Sequence, residues 1–213
     1  MRVLVWGATG AVGSRVVHDA LARGHEVTAV SRTLSRLATL PASPALHIRR
    51  GNASDPDDVA ALSAGHDVVI SATRPQPGQE AELVQAAKGL LIGLRSSGVR
   101  LILVGGAAGL IVPGTNHMLV DAPDFPALLR PIALACNEQF ALVREADDVD
   151  WTYVSPPALL EPGTRTGTYR KGTDHLLTDA HGNSHLSIED FAIALLDEAE
   201  QPQHIRHRFT VGY

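Results

Sequence analysis

The sequence predicts an α/β protein: a doubly wound parallel sheet flanked by helices, with a small covering region toward the C-terminus. Three observations predict it. A glycine turn, Gly7-Ala-Thr-Gly10-Ala-Val-Gly13, stands between a short apolar run and an amphipathic stretch. Strand-like and helix-like segments then alternate without interruption as far as Val104, the pattern of parallel strands joined by helical crossovers. Beyond that point the pattern breaks into long stretches rich in turn residues, 105–131 and 155–186. At 213 residues the chain is long enough for one substantial core, and a single domain over 1–213 is expected.

Arg2 to Trp6 reads as a buried strand through Val3, Leu4 and Val5. Val12, Val16, Val17, Ala20 and Leu21 recur at helical spacing, Gly24 ends that helix, and His25 to Ser31 forms a second strand. Strand, glycine turn, helix and parallel strand within about thirty residues make a Rossmann-type dinucleotide-binding unit. Gly7 permits the tight turn out of the strand, Gly10 lets the backbone approach a pyrophosphate, and Gly13 lets the helix pack closely. Thr9, Ala11 and Val12 complete the cradle at the helix N-terminus, whose free N–H groups and partial positive charge suit phosphates.

The end of the second strand selects between the nicotinamide cofactors. An NAD site places a carboxylate there to accept from the ribose 2′-hydroxyl. This chain has Ser31-Arg32 instead, with Arg36 one helical turn later. A hydroxyl and guanidinium groups suit a 2′-phosphate that a carboxylate would repel. NADP(H) is therefore expected in preference to NAD(H).

A short helix from Leu34 to Leu40, a third strand from Ala45 to Arg50 and a helix from Asp55-Pro56 to Ala64 follow. Asn52 and Ala53, after the third strand, are placed to meet an adenine. Asp67 to Ser71 is a fourth strand, and Ser71, Ala72 and Thr73 then pass the cofactor because strand C-terminal ends line the crevice of such sheets. Arg74 in the same loop is a cation for a phosphate or an acidic substrate. Glu80 to Ser96 is a long helix and Val99 to Val104 a fifth strand, after which Gly105 reaches the crevice. The 105–131 stretch reads as a lid. A helix over Ile132 to Glu145, a strand over Asp150 to Val154, a small hairpin within Glu161 to Asp179, a helix over Ser187 to Glu200 and a strand over Arg206 to Val211 complete the chain.

Composition excludes several classes of function. A net charge of −5 without any long basic cluster argues against nucleic-acid binding. A single cysteine, Cys136, excludes an internal disulfide and a thiolate metal site, and reads as a buried structural thiol. The first strand starts at residue 2, and no apolar run reaches the roughly eighteen residues that span a bilayer, so a cytoplasmic protein without membrane contact is expected. His175, His181 and His185 with Asp174 and Asp179 match no common ligand spacing, so no metal is expected.

Together GATGAVG, the Ser-Arg after the second strand, VISAT, LILVGGAAG and DWTYVSPP resemble the atypical short-chain dehydrogenase/reductases. The likeness is strongest to small NAD(P)H-binding proteins grouped with NADH-flavin reductases and relatives of biliverdin-IXβ/flavin reductase, and extends through RTGTYR, SIEDFAIALLDE and FTVGY. It implies that the Ser155-Pro156-Pro157 turn brings backbone groups near the nicotinamide. The Tyr-x-x-x-Lys pair of the wider superfamily, a proton donor to a carbonyl, is missing: the residues four before Lys88 and Lys171 are Val84 and Gly167. The serine of strand five is replaced by Gly105-Gly106. Hydride delivery to a flavin, quinone or similar conjugated acceptor leaves a delocalised anion that solvent can protonate, and an NADPH-dependent reductase of this kind is expected, with FMN or FAD as candidate substrates. The alternative is an NADP(H)-sensing regulator of the NmrA-like type. Arg74, His117 and Tyr169 are the candidate substrate contacts, and no catalytic residue is assigned. The exposed faces of the later helices offer a surface on which two copies can pair.

Overall fold

The structure is a computed structural model that describes residues 1–213. Its main sheet contains β1 (Arg2–Trp6), β2 (Glu26–Ser31), β3 (Leu46–Arg50), β4 (Val68–Ser71), β5 (Arg100–Val104) and β6 (Trp151–Ser155). It also contains β8 (Arg170–Gly172) and β10 (His207–Gly212), in the order β3-β2-β1-β4-β5-β6-β10-β8. Every neighbouring pair is parallel except β10 with β8. The order turns around at β1, where successive crossovers leave in opposite directions and open a crevice at the carboxyl ends of β1 and β4. A second sheet pairs β7 (Leu159–Glu161) with β9 (His185–Ser187) in parallel.

Side chains of β1 alternate between two cores. Val3 and Val5 pack under α1 (Ala11–Ala22) and α6 (Ile188–Glu200), with Val16, Val17, Phe191 and Leu195. Leu4 and Trp6 face α3 (Pro56–Ser63), α4 (Ala81–Leu94) and α5 (Arg130–Arg144), with Val59, Leu90, Leu94 and Val143. The near-continuous apolar strands are those of a parallel sheet covered on both faces. A short α2 (Leu34–Leu37) follows β2. Helix α5 begins two residues earlier than expected because Pro131 sits in its first turn, where its missing N–H and fixed φ cost nothing.

The expected hairpin within 161–179 does not form. β8 pairs with β10 and β7 with β9, while the residues between run as a strap along α1 and α6. A carboxylate takes the place of the hairpin partner. Fully buried Asp190 accepts from the amides of Thr166 and Gly167, both at 2.9 Å, and from the hydroxyls of Thr166 and Tyr213, at 2.5 and 2.6 Å. Ser187 caps α6 by accepting from the Asp190 amide at 3.0 Å, but Asp190 is spent on the strap and does not return the bond. Arg165 adds an ion pair to Asp19 of α1 at 2.7 Å.

At the opposite end of the sheet from the crevice, Arg100 and Glu198 form a buried ion pair at 2.5 Å. Glu198 also accepts from the amides of Gln203 and His204 at 3.0 and 2.9 Å and bonds the His204 ring at 2.8 Å. This carboxylate fixes the turn between α6 and β10. No helix is long and apolar enough to cross a membrane.

Candidate functional site

The glycine turn is shaped by contacts that admit no side chain. Gly7 has φ of +73°, and a Cβ there would lie 2.5 Å from the carbonyl oxygen of Ala72. A Cβ on Gly13 would lie 2.2 Å from the carbonyl oxygen of Gly7, so Gly13 seats α1 on the turn itself. Gly10 differs: its Cβ would meet only the Gly7 carbonyl, at 3.3 Å, and the Ala72 carbonyl, at 4.0 Å. Its outer side faces open space, as an approaching pyrophosphate needs. Gly10 is the N-cap of α1 without a side-chain cap, and the first turn holds no acidic residue. The amides of Ala11, Val12 and Gly13 there have no intrahelical acceptor. A glycine cradle opening on uncapped helix amides fits a dinucleotide phosphate.

Neighbouring strand ends complete the crevice. Ser71 is buried and its hydroxyl bonds that of Thr73 at 3.2 Å, next to Ala72. Ala53 is buried, the side-chain oxygen of Asn52 accepts from the Ser54 amide at 3.2 Å, and the Asn52 backbone amide donates to Asp58 at 2.9 Å. Sequence reasoning missed the support of this turn: a Cβ on Gly89 of α4 would lie 2.3 Å from the Ala53 carbonyl oxygen, so α4 clamps the turn from behind.

On the β5 side, the missing serine has a physical explanation. A Cβ on Gly105 would lie 2.0 Å from the Tyr153 ring, and one on Gly106 would lie 2.8 Å from the Cys136 sulfur. The Tyr153 hydroxyl donates to the Cys136 carbonyl and to Oε1 of Gln139, at 3.0 and 3.1 Å, and burial pushes its pKa well up. Burial likewise pushes the Cys136 thiol up to about 11, against a smaller opposing pull from the charge of Arg74. Ser155 is buried; its carbonyl accepts from Thr210 at 2.9 Å while its hydroxyl has no partner, and Pro156 follows it.

The charged candidates divide. Arg32 is exposed and pairs with Glu82 of α4 at 2.9 Å, whereas exposed Arg36 has no carboxylate within ion-pair distance. Arg74 is exposed beside the same crevice with no ion-pair partner. His117 is exposed, and its ring meets only the Met118 carbonyl at 3.3 Å. Tyr169 does not join them. Its hydroxyl donates to Asp197 at 2.7 Å, and Asp197 also binds Arg23, the C-cap of α1. Burial first, then this bond, raises its pKa strongly. Helix α1 has 12 residues, so its two ends are about 18 Å apart. The strap thus carries Tyr169, a candidate substrate contact, to the end of α1 remote from the glycine turn.

The 105–131 stretch is more firmly held than a free lid. Ala108, Val120 and Ala133 form a small core of their own. The Ile111 amide donates to the Asp174 carbonyl at 2.8 Å and the Leu176 amide to Ile111 at 2.9 Å, joining the two covering segments. Arg208, which sequence reasoning missed, ties them to β10 through Asp174 at 2.5 Å and the Gly109 carbonyl at 3.1 Å, its guanidinium lying 4.5 Å above the Phe140 ring. The Asp179 carboxylate accepts from the backbone amides of His181 and Asn183, and so organises its own turn in the histidine-rich segment.

A family model described as NAD(P)H-binding matches residues 7–199. The chain belongs to this NAD(P)H-binding family. Within reach of the family, the uncharacterised Bacillus subtilis protein YwnB is 37% identical, the match covering 99% of this chain and 98% of that one. Among solved structures, a candidate exported protein of Burkholderia pseudomallei is 40% identical with a TM-score of 0.89, covering 100% of both chains. A candidate NADH-flavin reductase of Streptococcus pneumoniae is 32% identical with a TM-score of 0.88, covering 100% of this chain and 99% of that one. The family's NAD(P)H-binding, oxidoreductase-like fold is thus that of this protein, and the resemblance found in GATGAVG and DWTYVSPP is borne out at the family level.

Proposed function

We propose that the protein is an NADPH-dependent reductase that passes hydride to a flavin, quinone or similar conjugated acceptor. One observation carries this reading. All three tyrosine hydroxyls are committed within the fold: Tyr153 to Cys136 and Gln139, Tyr169 to Asp197, and Tyr213 to Ser187 and Asp190. No phenol is left to protonate an alkoxide, which suits an acceptor whose reduced form is a delocalised anion.

The cradle of Gly7, Thr9, Gly10, Ala11, Val12 and Gly13 holds the pyrophosphate through backbone amides. Ser31, Arg32 and Arg36 take the 2′-phosphate, and Asn52 and Ala53 the adenine. Ser71, Ala72, Thr73, Gly105, Ser155 and Pro156 flank the nicotinamide ribose and ring. The bound cofactor supplies the hydride. Arg74 steers an anionic acceptor to the same crevice, and the positioning of the two partners supplies the rate. The likeness to the Streptococcus pneumoniae protein supports a flavin as acceptor.

The direct test is NADPH oxidation by the purified protein with FMN, with NADH run in parallel. Turnover saturating in both substrates and faster with NADPH is expected. Tight NADPH binding with no oxidation by FMN, quinones or tetrapyrroles would replace the reductase reading with a sensor. Arg32→Asp puts a carboxylate where the 2′-phosphate is bound and should reverse the preference, by about tenfold or more in relative kcat/KM. An unchanged NADPH/NADH ratio would remove Arg32 from the site.

A further inference from the structure

The Arg32–Glu82 pair joins residues fifty positions apart, one at the exit of β2 and the other in the first turn of α4. β2 and β4 flank β1, so the pair crosses above the end of β1 where the glycine turn begins. Glu82 is half-buried, and no other basic side chain pairs with it. The helix N-terminus around it favours its negative charge. A 2′-phosphate reaching Arg32 must take the guanidinium from this carboxylate, and a phosphate dianion beside Glu82 is repelled by it. A 2′-hydroxyl meets neither penalty, because it leaves the Arg32–Glu82 pair in place.

We propose that Glu82 is a specificity-determining residue: a built-in competitor for Arg32 that restrains the preference for NADPH and keeps NADH usable. The proposal rests on the reading of Arg32 as a 2′-phosphate ligand. It assigns to α4 a role that cofactor recognition at the end of β2 alone would not include. Arg36, without a carboxylate partner, remains as the second cation while Arg32 exchanges partners.

Titration calorimetry with adenosine 2′,5′-bisphosphate and with 5′-AMP tests this without any turnover. Glu82→Gln should tighten the bisphosphate by about fivefold, the size expected when a partly exposed ion pair is released and a nearby repulsion removed. It should leave 5′-AMP unchanged. Equal affinity of wild type and Glu82→Gln for the bisphosphate, with Arg32→Ala weakening it, would overturn the competitor role and leave the 2′-phosphate site standing. Weaker bisphosphate binding in Glu82→Gln would also overturn it, making Glu82 a support that aims Arg32. If Arg32→Ala binds the bisphosphate as wild type does, the reading of Arg32 itself falls. Both side chains lie at the surface, and a thermal unfolding curve shows whether the variants keep the wild-type fold.

Discussion

Gly7→Ala should unfold the protein about 6–12 °C below the wild type, a loss of about 3 kcal/mol. Two costs act together. The residue holds φ of +73°, which a Cβ disfavours, and that Cβ would lie 2.5 Å from the Ala72 carbonyl oxygen. That neighbour cannot yield cheaply, because it is backbone: Ala72 belongs to the exit of β4 and its amide is bonded to the Trp6 carbonyl at 3.0 Å. Relief of the clash would push β1 and β4 apart at the crevice, so NADPH binding should weaken at least in proportion. Gly24→Ala separates the two costs. Gly24 has φ of +79° but nothing within 4 Å of a Cβ, so only the backbone strain of about 1–2 kcal/mol applies. Equal losses from the two substitutions, measured by denaturant unfolding, would refute the contact between the turn and β4.

Glu198→Gln is the second large effect, about 3–5 kcal/mol, because it leaves the Arg100 guanidinium charged and uncompensated in the interior. Replacing both partners, Arg100→Met with Glu198→Leu, should recover part of the loss, since the buried charge disappears with its counter-ion. The acid limb of stability tests the same group. Burial would raise the carboxyl pKa of Glu198, but bonds from the His204 ring and the amides of His204 and Gln203, with the charge of Arg100, hold it below the ordinary value of 4.5. A carboxylate depressed in the folded state contributes in full above its unfolded pKa, and that contribution is lost as pH falls through the folded value. Unfolding free energy of the wild type should therefore drop more steeply than that of Glu198→Gln below about pH 4.5. Parallel curves would count against the ion pair.

What could be read in the sequence was what local pattern specifies. Six parallel strands and their crossovers stood out because Val3 to Val5, Val68 to Ile70 and Leu101 to Val104 are apolar runs bounded by turn residues. The glycine turn was legible because each of its positions answers a backbone constraint within a few residues. Partners set by tertiary distance were not. Nothing near residues 161–170 announces that Asp190 takes the amides of Thr166 and Gly167, so the local pattern suggests a hairpin where the chain forms a strap. Tyr169 looked free because its acceptor, Asp197, lies twenty-eight positions away. Glu82 and Arg208 went unnoticed for the same reason: a single charge has no period. The Gly105-Gly106 pair is visible in the sequence, but what requires glycine there, the bulk of Tyr153 and Cys136, appears only in three dimensions.

The placement of β10 between β6 and β8 imposes a hierarchy on how the molecule can come apart. β8 is held to the main sheet only through β10, by the register Thr210 to Gly172, Val211 to Lys171 and Gly212 to Arg170. It can therefore peel away and leave seven strands intact, whereas β10 cannot depart without releasing β8 as well. Fluctuations that free the strap are nested inside the rarer ones that break the β6 edge. Amides of β8 should thus exchange with solvent through the shallower opening. The β8 edge can open while the crevice at β1, with four strands lying between them, is undisturbed.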